Sequence, residues 1–139
     1  MRIEDIQSLI SYRIQKAEES LKAAKIMLES NMLTFSMNRI YYSMFYAVQA
    51  VLALSGISFS KHGQVKAYLN RELIKQNILP LELGKIYNKA FEYRQKFDYM
   101  DFAIPDREMT DSYLEAAAKF LSAIKEYIQK ELSRGSSIE

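Results

Sequence analysis

The 139-residue chain contains no cysteine, so it has no disulfide framework, no thiol nucleophile and no thiolate metal ligand. His62 is its only histidine, and no glutamate stands three residues before it. The paired Glu-x-x-His motifs of a di-metal helical bundle are therefore excluded. Four glycines and two prolines are too few and too scattered for a glycine-rich phosphate loop. So sparing a use of breakers fits a mostly helical chain with short connections. The seven methionines fall at core-like positions and read as packing rather than a copper site. Nineteen basic and 17 acidic residues leave a net charge of +2, too small to mark a nucleic-acid binder by itself. No basic, apolar leader opens the chain, and the run from Ile40 to Leu54 is too short for a bilayer and is interrupted by Ser43 and Gln49. The expected compartment is the cytoplasm, with no membrane, metal or cofactor.

Nearly half the residues are apolar, which suffices for one domain with a real core. Helical periodicity predicts a first helix from about Glu4 to Glu29, broken by Ser30-Asn31. A second, from about Met32 to Ser55, is apolar on nearly all sides and should be central, with Gly56 as its stop. Ser58 to Gly63 reads as a loop and Gln64 to Gln76 as a short third helix. Leu79-Pro80 opens a fourth helix, and Arg107 to Ser133 forms the fifth. The expected fold is all-α, an antiparallel four-helix bundle with one additional short helix. Residues 1–134 form the single domain, and 135–139 a frayed tail.

Two segments depart from a plain core pattern. Asn38-Arg39-Ile40-Tyr41-Tyr42-Ser43-Met44-Phe45-Tyr46 puts a guanidinium and three tyrosines at the head of the central helix. At 100° per residue, Arg39, Tyr42 and Tyr46 share a stripe that continues onto Ala50 and Ala53. A charge taken from water must be paired, so this seam should meet an acidic or anionic partner. Asp98 is the expected partner of Arg39, with Glu92 or a residue of a second subunit as alternatives. The other segment is Tyr93-Arg94-Gln95-Lys96-Phe97-Asp98-Tyr99, where Arg94 and Asp98 are four apart on one helix face. An Asp-oriented Arg fork suits phosphate, and the flanking aromatics suggest partial enclosure. Left to itself, the same spacing gives an ordinary surface ion pair. His62 is a lesser candidate, because no chain neighbour is placed to orient it as a base. Charge is also segregated along the chain. Lys61 to Lys96 holds eight basic residues against three glutamates, and Phe97 to Glu115 six acids against Arg107 alone. That is either a pair of solvated faces or a basic surface for an anion beside an acidic one.

Asn38-Arg39-Ile40-Tyr41-Tyr42-Ser43-Met44-Phe45, Lys61-His62 and Glu92-Tyr93-Arg94-Gln95-Lys96-Phe97-Asp98-Tyr99 together resemble the HEPN family (higher eukaryotes and prokaryotes nucleotide-binding), in its small stand-alone prokaryotic branch. The resemblance spans nearly the whole chain. It implies a helical bundle that commonly forms a homodimer, often paired with a minimal nucleotidyltransferase in toxin–antitoxin systems in which the HEPN protein is the toxin. Many members are metal-independent RNases with an Arg followed four to six residues later by a His. Here Gln95 to Asp101 contains no histidine, and Asp98 or Tyr99 occupies its region. A carboxylate of ordinary pKa is a weak base and no acid at neutral pH. The resemblance thus carries binding of nucleotide or single-stranded RNA further than it carries catalysis. Tyr99 resembles the tyrosine that the partner nucleotidyltransferase of some pairs modifies with AMP.

The candidate catalytic residues are Arg94, Asp98 and Tyr99, with His62 behind them. The candidate ligand-binding residues are Asn38, Arg39, Tyr42 and Arg94. The alternatives are an RNase of altered active site and a helical interaction module without catalysis.

Overall fold

The computed structural model describes the backbone of residues 2–138 and the side chains of residues 2–134. Its axis is the helix α2 (Leu33–Leu54), whose Met37, Ile40, Met44, Val48, Val51 and Leu52 are buried. Apolar residues over most of its circumference leave such a helix only the partly exposed stripe through Arg39, Tyr42 and Tyr46, so other helices must surround the rest. α1 (Ile3–Glu29), α4 (Leu81–Tyr99) and α5 (Arg107–Ile138) do so, giving the expected antiparallel all-α bundle of four long helices. α1 packs along α2, and both helices bury small residues, Ala17 and Ala24 on α1 and Ala47 and Ala50 on α2, all fully buried. Buried serines satisfy their hydroxyls on helix carbonyls: Ser36 Oγ donates to Ala24 O, and Ser43 Oγ to Ile40 O, each at 2.7 Å. None of the described helices is long and apolar enough to cross a membrane.

The helix ends follow their local chemistry. Asn31 (φ 60°) and Gly56 (φ 67°) adopt the left-handed conformation just past α1 and α2. At each, paired amide bonds close the last turn: Met32 N to Met27 O and Asn31 N to Leu28 O, then Ile57 N to Leu52 O and Gly56 N to Ala53 O. Asp106 caps α5 by accepting from Met109 N at 2.7 Å. α5 continues past its expected end at Ser133 to Ile138, and Glu139 lies outside the described residues.

The short helix differs from expectation. It starts at His62, inside the expected loop, and α3 (His62–Tyr68) passes at once into a π-helical turn, Leu69–Ile74. Asn70 sits in that turn, donating to Lys66 O at 2.8 Å and exchanging two amide bonds with Asn88 of α4, at 2.9 and 3.0 Å. Gly84 lets the turn approach, since a Cβ there would lie 3.0 Å from Ile74 Cγ1 and 3.4 Å from Asn70 Oδ1. The amide pair docks the π turn that follows α3 on α4.

Candidate functional site

The head of α2, the end of α4 and the start of α3 meet at a cluster of rings and charges. Tyr42, half-buried on α2, is its centre. The guanidinium of Arg39 lies 4.7 Å from the Tyr42 ring centroid and that of Arg94 5.4 Å. Each placement is a cation–π contact, which partial desolvation strengthens. Arg94 Nη2 also donates to the Tyr42 hydroxyl at 3.2 Å.

Asp98 is the cluster's carboxylate. Its Oδ2 is 3.5 Å from Arg94 Nε, the i, i+4 pair expected, and accepts from Asn38 Nδ2 at 3.0 Å. The two side chains are only 14% and 23% exposed, so this pair is screened less than a surface one. Arg39 does not reach Asp98 or Glu92, as its expected pairing required. Its Nε and Nη2 donate to Asn38 Oδ1 at 3.1 and 2.9 Å. Asn38 intervenes, turning its oxygen to Arg39 and its amide to Asp98. Arg39 thus meets an amide dipole and a ring face, with no carboxylate partner among the described residues. The Arg94 Nη1 group likewise has no protein partner there.

The sequence left His62 without an orienting group, and the fold supplies one. Its Nδ1 lies 2.7 Å from the Tyr41 hydroxyl, and its ring stacks on Phe45 at 4.3 Å and meets the edge of Tyr42 at 5.5 Å. Burial and the nearby Arg94 hold the imidazole below its ordinary pKa. Burial pushes the Tyr41 phenol up to about 12, and Tyr87, buried 5.7 Å from the Tyr41 ring, well above its usual value. Both therefore remain hydroxyls at neutral pH. Tyr41 is the functional residue that reading the chain missed. It faces the core, and nothing local marks it as the partner of a histidine 21 positions away. Tyr99, by contrast, is 74% exposed and has no ring or hydrogen-bond contact among the described residues.

The cluster thus holds two guanidinium groups and a neutral imidazole against one carboxylate, an arrangement that keeps an excess positive charge at the protein surface. No three His, Cys, Asp or Glu side chains among the described residues come together as a metal site.

A sequence model of the HEPN domain matches residues 10–127, from α1 through α5 and across every residue of the cluster. The chain belongs to the HEPN family. A "UPF0332 protein" of Thermotoga maritima is 40% identical over 123 residues, covering 88% of this chain and 93% of its own length. "Putative toxin MJ0142" of Methanocaldococcus jannaschii is 38% identical over 125 residues, 89% and 85% of the two chains. "Putative toxin MJ0605" of the same organism is 29% identical over 126 residues, 91% and 93%. This HEPN chain differs from a plain bundle where its helices bring Arg39, Arg94 and His62 around the Tyr41–Tyr42 pair.

Proposed function

We propose that this HEPN protein is toxin-like and binds the phosphate of a nucleotide or single-stranded RNA at the Tyr42 cluster. The observation that carries the reading is the charge balance around one ring: Arg39 and Arg94 both lie against Tyr42, and Asp98 alone answers them. Phosphate provides the missing negative charge, and the Arg94 fork, held by Asp98 and Tyr42, offers it a group already oriented. The names of the two Methanocaldococcus relatives support a toxin-like role. In this reading the protein works as a homodimer alongside a nucleotidyltransferase partner in the cytoplasm, with Tyr99 exposed for modification.

The test is a titration of purified protein with a short fluorescent single-stranded RNA and with ATP, at two salt concentrations. Wild type should bind more weakly at the higher salt, as phosphate contacts demand. Arg94→Ala should weaken binding about tenfold or more, the size of one charge-assisted hydrogen bond. Equal binding by the variant, or none by wild type at either salt, would overturn the reading.

A further inference from the structure

We infer that the face where α1 lies along α2 is a stacking track for the unpaired bases of a single-stranded nucleic acid, running from the Tyr42 cluster to Tyr12. The inference rests on the phosphate-binding reading and extends it from one phosphate to a strand.

The stripe through Arg39 and Tyr42 does not end at the cluster. One turn further along α2, the Tyr46 ring lies 5.9 Å from that of Tyr42, tilted by 37°. The antiparallel α1 adds its own side chains at that level. Lys16 Nζ sits 5.2 Å from the Tyr46 ring centroid and 5.4 Å from that of Tyr12, and donates to the Tyr12 hydroxyl at 3.5 Å. Nearly one turn back on α1, Arg13 Nη1 donates to the Gln49 carbonyl at 2.7 Å. From Arg94 to Tyr12 the order in space is therefore cation, ring, ring, cation, ring, with each step between 5.2 and 5.9 Å.

Packing alone does not account for this order. Tyr12 is 56% exposed, and Lys16 is its only ring or hydrogen-bond contact among the described residues. Arg13, Lys16 and Arg39 have no carboxylate partner among the described residues. Arg13 is partly buried as well, where a guanidinium without a counter-charge carries a desolvation cost that an apolar side chain would not.

Rings interleaved with cations are what recognition of a single strand uses, because bases stack on aromatic faces while cations meet the phosphates between them. Lys16 stands between Tyr46 and Tyr12 as a phosphate stands between two bases. The track therefore takes about two bases beyond the phosphate at Arg94, one on each of these tyrosines. Every base has a π-face, so strand sequence matters little. A duplex keeps its base faces stacked within itself, so only an unpaired strand fits. The contacts go to faces and phosphates, so ribose and deoxyribose strands are held alike.

The experiment measures fluorescence anisotropy of a labelled uridine dinucleotide, an oligouridine octamer and its all-2′-deoxy counterpart with the full chain, over a series of salt concentrations. Wild type should bind the octamer at least about tenfold more tightly than the dinucleotide, the worth of one stacked base or more. Tyr12→Ala should weaken octamer binding about fivefold or more, whereas Tyr12→Phe, which keeps the ring, should match wild type. Lys16→Gln should reduce the slope of log Kd against log salt by about 0.7, one phosphate contact on a single strand. Dinucleotide binding should weaken in Arg94→Ala and stay unchanged in Tyr12→Ala. Equal affinity for dinucleotide and octamer, or octamer binding unchanged in Tyr12→Ala, would overturn the track and leave the phosphate site standing. A preference of about tenfold or more for the ribose octamer would overturn stacking as its basis. No binding of any strand by wild type would remove the phosphate reading and the track with it. Should Tyr12→Ala melt lower than wild type by circular dichroism, the Lys16→Gln salt slope decides, and an unchanged slope rejects the track.

Discussion

Tyr42 has two guanidinium groups against its ring, one from its own helix and one from α4, yet the two arginines are not equivalent. Arg39 contacts a ring face and the Asn38 oxygen, so replacing it by Met keeps most of the packing and removes an unanswered charge. Arg39→Met should change stability by no more than about 1 kcal/mol, the worth of a modest cation–π contact. Arg94→Met strands Asp98 with only the Asn38 amide and should cost about 1–3 kcal/mol. Urea unfolding of both variants checks this, and equal losses would contradict the network as described. His62 adds a pH dependence of known sign. Its folded pKa lies below 6.5, so acidification through 6.5 protonates the unfolded chain first. Stability should therefore be full above about pH 7 and fall as pH drops below 6.5 toward the folded pKa. His62→Gln should flatten that slope, which urea midpoints measured every half unit would reveal.

At the scale of elements, the caps are as consequential as the core. Asp106 accepts the third amide of α5, and Thr110 Oγ1 donates to the Asp106 carbonyl at 2.8 Å. Asp106→Ala should lose roughly 0.5–2 kcal/mol, read as a lowered thermal midpoint, whereas Asp106→Asn should recover most of it. Such stops are local, which is why Asn31 and Gly56 could be read directly from the chain, and the helix start expected at Leu79-Pro80 falls at Leu81, one residue past Pro80. What escaped was the start of α3 and the π turn that follows it. That turn depends on Asn70 meeting Asn88, two amides 18 positions apart on different helices. No periodicity encodes that meeting. The same blindness hid Tyr41 as the partner of His62 and put Asn38 between Arg39 and Asp98. The residue types of the site were legible because polar groups stood out on an apolar helix; their pairing was not, because it is a product of tertiary packing.

For the whole molecule, one surface feature remains unanswered inside the chain. Between α4 and α5, Tyr99, Met100, Phe102 and Ile104 are all exposed, and Phe102 is fully so while holding φ at 64°. A bulky residue in that conformation costs of order 1 kcal/mol or more, and its ring buries nothing in return within one subunit. The segment directly follows Asp98, so whatever covers it also borders the Arg94 site. The proposed homodimer is expected to bury it against the second copy. Phe102→Gly separates the two contributions, because glycine accepts the left-handed backbone while removing the ring. Wild type should sediment as a dimer, and Phe102→Gly should shift toward monomer at micromolar concentration. At protein concentrations low enough to dissociate both, the variant should melt no lower than wild type, since the ring supports nothing in the subunit and the strain is gone. A variant that melts lower as a monomer would mean that Phe102 packs within its own chain. A wild-type monomer across the micromolar range would mean that the apolar segment serves a partner other than a second copy.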